Sequence, residues 1–178
     1  MAFAASLNDE CSATATKVTK SSRLKRVSNS CRLCMYEMQP WLIILQLQDY
    51  TRAIIAAQPT DTFVPDLAVN IGGALAATQA ILPAMAKRAA GTILHTGGGF
   101  ALYPSPDFLS LSTGKAGIRA LVLGLFESAK AKGVHIGTVT VAANVAPDSK
   151  EADAVAEHFW KLHSQPVGAW EAEANYSA

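Results

Sequence analysis

Glycine is missing from the first part of this 178-residue chain, whose earliest glycine is Gly72. A phosphate-binding turn of the G-x-G-x-x-G type needs glycines where the backbone turns tightly and approaches the phosphates. No such turn can precede Gly72, and an acidic ribose ligand at the matching distance is excluded with it. The triple glycine Gly97-Gly98-Gly99 lacks this spacing and follows an apolar run late in the chain.

Cysteine is also scarce, since the chain has three, and an odd number does not suggest a disulfide framework. We therefore expect a reducing compartment, the cytoplasm. Cys31 and Cys34 form one CxxC pair, but a structural zinc site normally needs four ligands and no second pair follows. His158 and His163, five residues apart, do not share a helical face well. We predict no metal site and interpret the cysteine pair as incidental thiols, with a metal or redox role as the alternative.

Charge of either sign is sparse, because charged residues make up 16% of the chain and the formal net charge is +1. This balance gives no electrostatic argument for nucleic acid or an anionic membrane, so we expect neither as a partner. Hydrophobic residues make up 50% of the chain, which at this length is enough for one domain with its own core.

The N-terminal segment, residues 1–39, shows no hydrophobic period at 2 or 3.6 residues. Its stretch 17–32 has no acidic residue and carries Lys17, Lys20, Arg23, Lys25, Arg26 and Arg32. Such a segment buries too little apolar surface to offset its ordering entropy, which predicts disorder. A transit peptide is the alternative, although Asp9 and Glu10 count against it and no secretory apolar region is present. We predict a polar segment at 1–39 and a folded domain at 40–178.

Short apolar runs and turn residues mark the elements of this domain. The run 41–45, WLIIL, predicts a buried strand by its length and branched side chains. Residues 49–58 fit a short helix or a loop, and Thr60 or Asp61 supplies an N-cap for the helix that follows.

A long helix is predicted over 67–88, apolar nearly all round and containing Asn70 and Pro83. We expect Pro83 to kink or end its regular part. Its length suffices for a membrane span, but its polar interruptions and the lack of a second span argue against one. A helix that is apolar around its circumference is usually buried on several sides, which favours a sheet on one face and a partner subunit on another. We therefore expect a homo- or hetero-oligomer.

The next elements predict a parallel crossover, because strand Thr92–Thr96, a helix over 110–132 and a strand over 134–143 follow with short connections. An amphipathic helix is predicted over 148–162, and the tail 165–178 looks irregular. The predicted fold class is α/β, a partial doubly wound parallel sheet of the Rossmann-like kind.

Over about residues 60–165 this order of motifs resembles the second half of the short-chain dehydrogenase/reductase family. Asn70 and Gly73 match the Asn-x-x-Gly of its long interface helix, and Lys115 matches the lysine of its Tyr-x-x-x-Lys. The strand ending at Thr96 matches the one that leads to the catalytic serine. The usual N-terminal dinucleotide-binding half has no counterpart in the sequence.

The resemblance implies roles for individual residues. Lys115 would hold the nicotinamide ribose, Asn70 would support a proton relay, and Val145 would lie at the turn over the nicotinamide. Leu111 stands at the tyrosine position and Gly98 at the serine position, so neither can supply its hydroxyl.

Two other hydroxyl-bearing residues are candidates for the missing proton chemistry. Thr96 is two residues before Gly98 and faces the same way in an extended strand, which makes it the best substitute. Tyr103 on the following loop is a second candidate.

The function implied is NAD- or NADP-dependent oxidation or reduction of a small carbonyl or alcohol substrate. We expect cofactor binding to be weak or lost and catalysis to be impaired. The alternatives are a non-catalytic dimerisation partner of a full-length relative and an incomplete gene product. 

Overall fold

The fold is built on one six-stranded sheet, seen in a computed structural model that describes residues 25–26, 33–38, 42–47 and 60–178. Neighbours in the sheet follow chain order from β1 to β6. The strands are β1 (Lys25–Arg26), β2 (Leu33–Met38), β3 (Leu42–Leu47), β4 (Thr92–Thr96), β5 (His135–Ala142) and β6 (Glu173–Ser177). The pairs β1–β2 and β2–β3 are antiparallel, and the strands from β3 to β6 run parallel.

Helices connect the parallel strands and cover both faces of the sheet. They are α1 (Thr60–Leu67), α2 (Gly73–Lys87), α3 (Leu109–Lys130) and α4 (Lys150–His163). A π-helical turn, Ala68–Gly72, joins α1 to α2, and a short 3-10 turn, Gly99–Ala101, follows β4.

The alternation of the strands separates two apolar cores. Ile93 of β4 packs in a cluster with Met85 of α2 and Val122 of α3. The next residue, Leu94, points to the other face and packs with Phe159 and Leu162 of α4. Period-2 alternation in β4 therefore produces helices on both faces, the doubly wound arrangement. The α/β prediction with a Rossmann-like parallel sheet is confirmed.

Most element predictions hold within a few residues. Strand Thr92–Thr96 is found with the predicted bounds, and the strand predicted over 134–143 is found as β5. The helix predicted over 110–132 is α3, and Gly133 follows it with a positive φ of 71° that suits glycine. Strands β4 and β5 are adjacent and parallel, as expected for a crossover through α3.

The tail is not wholly irregular, and that prediction is wrong for its last residues. Strand β6, Glu173–Ser177, pairs in parallel with β5. Its sequence EANYS is short and polar, so pattern alone did not reveal it. Tertiary pairing stabilises it, because Glu173 accepts hydrogen bonds from Arg119 of α3 and Thr140 of β5.

Strands β1 and β2 fall inside segment 1–39, for which composition predicts disorder. The sheet therefore extends into that segment, and the domain boundary at residue 39 stays a prediction. Predictions about residues 49–58, the targeting role of the N-terminus and the Cys31–Cys34 pair depend on residues outside those described.

The long apolar helix does not end at Pro83, because α2 continues to Lys87. Two stretches, Thr60–Lys87 and Leu109–Lys130, are long and apolar enough to cross a membrane by length and composition alone. The sequence-based expectation that only the helix over 67–88 is long and apolar enough to span a membrane is therefore wrong. Core helices of soluble proteins pass the same test, so this property does not assign either helix to a membrane.

Candidate active site

Lys115 lies at the centre of the candidate site, on α3 and beside the carboxyl end of β4. Its side chain is buried, with 4% of its surface exposed. Its Nζ donates a hydrogen bond to the carbonyl oxygen of Thr96 at 3.0 Å. Crevices at the carboxyl ends of parallel strands are where open α/β sheets bind ligands, so the position suits a functional lysine.

Burial changes the acidity of this lysine. Desolvation of the charged form lowers the pKa of Lys115 to about 8. With that pKa, about a tenth of the amine is neutral at pH 7. Lys115 is therefore a cation that can release its proton near neutral pH.

Gly98 lies directly against the aliphatic stem of Lys115. A Cβ placed on Gly98 would meet Cγ, Cδ and Cε of Lys115 at 3.3, 3.4 and 3.5 Å. The backbone of Gly98 is extended, with φ −162°, so its conformation does not require glycine. A small side chain at Gly98 would therefore face Lys115 and need only a small shift of a flexible stem.

Asn70 is brought to the same place by the π-helical turn between α1 and α2. It is fully buried, and its Nδ2 donates to the carbonyl oxygen of Asp66 at 2.9 Å. A Cβ on Gly114 would lie 2.9 Å from the Asn70 Cβ, so α3 packs directly on the asparagine. Asn70 therefore packs on α3 at Gly114, the residue that precedes Lys115.

Leu111 lies one turn before Lys115 on the same face of α3 and is 7% exposed. Its side chain has no group that can donate or accept a proton. The position one helical turn before the lysine thus carries a buried hydrocarbon side chain.

His95 was missed by sequence reasoning. It is buried on β4, and its Nε2 is 3.1 Å from the hydroxyl oxygen of Thr78 on α2. Burial first, and then the nearby charge of Lys115, lower the pKa of His95 to about 4, so the imidazole is neutral at pH 7. The signal available in the sequence was an ionisable residue inside the apolar strand TILHT.

Arg119, Glu173 and Thr140 form a second polar group that sequence reasoning missed. Both Nε and Nη2 of Arg119 donate to the Glu173 carboxylate, at 2.7 to 2.9 Å. Thr140 Oγ1 donates to Glu173 Oε1 at 2.7 Å. The hydrogen bond from Arg119 is the main reason that the pKa of Glu173 is lowered, with Thr140 adding to it. Because Arg119 is one turn after Lys115, this group joins the lysine helix to the edge strand β6.

The remaining candidates lie further out. Thr96 is seen to contact Lys115 through its backbone carbonyl. Tyr103 is 74% exposed, and Val145 is also exposed, in the segment after β5. Catalytic roles for Thr96 and Tyr103 and a cofactor contact for Val145 stay predictions. Within the part of the chain that the structure describes, no group of three or more His, Cys, Asp or Glu residues could hold a metal ion.

Comparison with known protein families identifies the family to which this chain belongs. The family model for short chain dehydrogenases matches residues 51–154, more than half of the chain. The chain belongs to the short-chain dehydrogenase family. The resemblance first drawn from Asn70, Gly73 and Lys115 is thereby confirmed. No curated protein matches the chain by sequence.

Solved structures of the family share the fold at low sequence identity. A short-chain dehydrogenase from Rhodopseudomonas palustris aligns with TM-score 0.68 and 20% identity, over 78% of this chain and 62% of that one. A metagenomic short-chain oxidoreductase in complex with NADP aligns with TM-score 0.64 and 19% identity, over 75% of this chain and 61% of that one.

A third similar structure is the short-chain dehydrogenase from Leptospira borgpetersenii serovar Hardjo-bovis with bound NAD+. It aligns with TM-score 0.66 and 15% identity, over 76% of this chain and 63% of that one. The chain therefore spans somewhat over three fifths of the length of each of these structures.

Proposed function

We propose that this short-chain dehydrogenase keeps the lysine site of an NAD- or NADP-dependent oxidoreductase but reduces carbonyl substrates poorly or not at all. The carrying observation is the buried pair Leu111 and Lys115 on one face of α3. The lysine of the Tyr-x-x-x-Lys pattern is present and buried, but the position of the proton-transferring tyrosine holds a leucine. The proposed substrates are small carbonyl or alcohol compounds, and the proposed compartment is the cytoplasm.

The residues of the site suit the nicotinamide end of a dinucleotide. Lys115 supplies a buried ammonium donor of the kind that holds ribose hydroxyls, and Gly98 adds no side chain of its own over the lysine stem. Val145, exposed after β5, is the proposed contact on the other side. When bound, the nicotinamide supplies the hydride. No glycine precedes Gly72, so the pyrophosphate lacks its usual turn in this sequence, and we propose weak binding or none.

Proton transfer is the step that the chain's own residues support least. A positioned general acid or base contributes typically ~10²–10⁴-fold to rate. Leu111 contributes none, and Gly98 offers no hydroxyl to orient a carbonyl oxygen. We propose Thr96 and Tyr103 as the remaining hydroxyl sources and Asn70 as the support of a relay. A threonine hydroxyl has a pKa far from neutrality, which makes it a poor general acid.

The test is oxidation of NADPH and NADH with a panel of small ketones. We expect no measurable turnover from the natural chain and none from Leu111→Tyr alone, because Gly98 still lacks a hydroxyl. Fusion of the N-terminal half of an active relative, combined with Leu111→Tyr and Gly98→Ser, should restore turnover. The matched control is the same fusion with Lys115→Ala, which should lose it.

Two outcomes contradict parts of this proposal. Turnover by the unmodified chain that survives Lys115→Ala would place the chemistry elsewhere. Turnover that is lost on Tyr103→Phe would make Tyr103 the acid and remove Thr96 from that role.

A second candidate function is that of a non-catalytic subunit. It is favoured by the apolar surface of the long helices, where Val64 of α1 and Leu123 of α3 are exposed. We propose that these helices associate with a second copy or with a longer relative. Copurification of tagged chain with an active family member, with a change in that member's turnover, would support this role over an enzymatic one.

A further inference from the structure

His135 begins β5 at the end of the sheet opposite to Lys115. It is paired with Thr92, the first residue of β4, whereas Lys115 contacts Thr96, the last. Only 1% of its surface is exposed. The proposed function assigns no role to His135, although a buried histidine can change the stability of its surroundings when it takes up a proton.

The contacts of His135 fix its tautomer. Its Nε2 is 2.8 Å from the carbonyl oxygen of Glu171, and a carbonyl can only accept, so Nε2 carries the proton and donates. Its ring stacks on the indole of Trp170, with centroids 5.1 Å apart and planes 5° from parallel. The edge of Phe126 from α3 packs on it at 6.3 Å.

The second ring nitrogen has no such partner. Nδ1 of His135 is buried and makes no hydrogen bond to any of the residues that the structure describes. In the neutral ring this nitrogen is a bare acceptor. Protonation would put an N–H there. The Leu162 carbonyl favours the charged ring but makes no hydrogen bond to Nδ1 in this structure, and a buried donor without a well-placed acceptor costs free energy.

The segment held by His135 leads directly into β6. Trp170 Nε1 donates to the Gln165 carbonyl at 3.1 Å, and Gln165 binds Glu171 through both ends of its amide. Thr138 of β5 then donates its backbone N–H to Ala172 at 2.9 Å, one residue before β6 begins. Residues 165–172 thus form a compact clip between α4 and the edge strand.

Charged and titratable groups face His135 from several elements. His163 ends α4, with Nδ1 3.0 Å from the Thr92 hydroxyl, and its charge opposes protonation of His135. Lys130 of α3 lies over the Phe126 ring at 5.5 Å. Glu171 and the carbonyl of Leu162 favour the charged form, but burial outweighs them and the pKa of His135 is lowered.

We propose that His135 is an acid-sensitive clasp: it holds the C-terminal segment 165–177 on the sheet while neutral, and its protonation releases β6. Release removes the Glu173 carboxylate, which Arg119 of α3 and Thr140 of β5 both bind in the closed form. The protonation state of His135 is thereby coupled, through β6 and Glu173, to the helix that carries Lys115.

Linkage sets the sign and size of the effect. In the closed form the pKa of His135 lies below its ordinary value, whereas in the open form it returns to about 6.5. The open form therefore binds the proton more tightly and gains population as pH falls below that value. One histidine can raise the opening constant up to about tenfold between pH 7.5 and 5.5.

The experiment is native-state hydrogen exchange of the full chain at pH 7.5 and 5.5, with rates corrected for the intrinsic pH dependence of exchange. Amides of β6 should show an opening constant that rises severalfold, up to about tenfold, while α3 amides report any global opening. In His135→Phe, which keeps an aromatic ring against Trp170 without a titrating nitrogen, β6 opening should become independent of pH. His163→Gln removes the neighbouring charge that opposes protonation of His135, and β6 opening should still depend on pH in this variant because His135 is retained.

Either of two results overturns the proposal. The first is an opening constant for β6 in the natural chain that does not rise, relative to α3, between the two pH values. The second is a rise that persists in His135→Phe, or in His135→Gln if the phenylalanine variant does not fold.

Discussion

At the scale of single residues, the glycines of the loop after β4 differ sharply in what they tolerate. A Cβ on Gly97 would meet the hydroxyl oxygens of Thr140 and Thr138 at 2.8 and 2.9 Å and backbone Cα of Thr140 at 3.1 Å. The corresponding neighbours of Gly98 are atoms of the flexible Lys115 stem. Glycine at position 97 is thus required by packing on β5, whereas Gly98 is open to substitution.

This contrast yields a matched pair of variants. Gly97→Ala should destabilise the protein by about 1–3 kcal/mol, because it overpacks a site bounded by two buried threonine hydroxyls and by backbone. Gly98→Ala should change stability by less than about 1 kcal/mol, since Lys115 can shift. Urea unfolding of the two variants measures the difference, and equal stabilities would contradict the packing described for Gly97.

The buried His95 predicts a pH dependence of stability. Its pKa in the folded chain is about 4, below the ordinary value of 6.5, so the fold favours the neutral ring. The unfolded chain binds the proton more tightly, and stability falls as pH drops from 6.5 towards 4. Between pH 7.5 and 5 the loss should be about 2 kcal/mol from this group.

Unfolding of the natural chain and of His95→Asn by urea at both pH values tests this. The variant should show a smaller loss on acidification, whatever its stability at pH 7.5. His158→Asn is the control, because that histidine lies on α4 and makes a bond to its own helix through the Ala154 carbonyl. The same pH dependence in the natural chain and His95→Asn would rule out His95 as the cause.

At the scale of elements, α3 approaches the chain around the π-helical turn more closely than ordinary side chains allow. Gly114 and Gly117 of α3 have Asn70 and Ile71 where their Cβ atoms would be. Asn70 and Ile71 can therefore pack this closely on α3 only because α3 carries glycines at these positions. Gly124, further along the same helix, has no atom within 4 Å of its Cβ position.

Gly114→Ala and Gly124→Ala therefore should have opposite effects. Gly114→Ala should destabilise by about 1–3 kcal/mol, because Asn70 is fully buried and cannot move away. Gly124→Ala should stabilise by about 0.5–1 kcal/mol through the lower chain entropy of alanine in a helix. Thermal or urea unfolding of both variants measures this, and a stable Gly114→Ala protein would contradict the close approach.

At the scale of the whole molecule, two features have opposite effects on cofactor affinity. The lysine site favours binding of the nicotinamide end, whereas the glycine-free N-terminal part offers no usual turn for the pyrophosphate. We expect NADH and NADPH to bind with millimolar affinity or weaker, a binding free energy no better than about −4 kcal/mol. Titration followed by nicotinamide fluorescence measures this, with Lys115→Ala as the variant that should lose any residual binding. A dissociation constant in the low micromolar range would mean that other residues replace the missing turn.

The apolar helices also lead us to predict the oligomeric state of the whole molecule. Soluble monomers rarely expose contiguous apolar patches beyond a few hundred Å². We therefore expect a dimer or larger oligomer by light scattering at micromolar concentration. Leu123→Glu should weaken it, whereas Lys161→Glu on α4 should not, since Leu123 is an exposed apolar residue of α3 and Lys161 an exposed charge. A well-behaved monomer would contradict this prediction, and flotation with phospholipid vesicles would point to a membrane instead.

Local sequence patterns were sufficient to predict the layered α/β fold and to select Lys115 as a candidate site residue. Strand Thr92–Thr96 is short, mostly β-branched or apolar and bounded by glycines, and the long helices are apolar over more residues than a strand usually has, so local pattern sufficed for them. Asn70 and Lys115 were found because their motifs are local, an Asn-x-x-Gly and a lysine one turn after a fixed position. Leu111 and Gly98 were recognised as departures for the same reason.

Contacts between residues far apart in the chain depend on the folded structure and could not be predicted from local patterns. Strand β6 is short and polar, and it forms because β5 offers it a backbone edge and Arg119 binds Glu173 from 54 positions away. His95 joins Thr78, and His135 meets Trp170 and Glu171, through folding of the sheet rather than through any spacing in the chain. Burial removes water from Lys115, His95 and His135, and that desolvation, which no local pattern encodes, lowers all three pKa values.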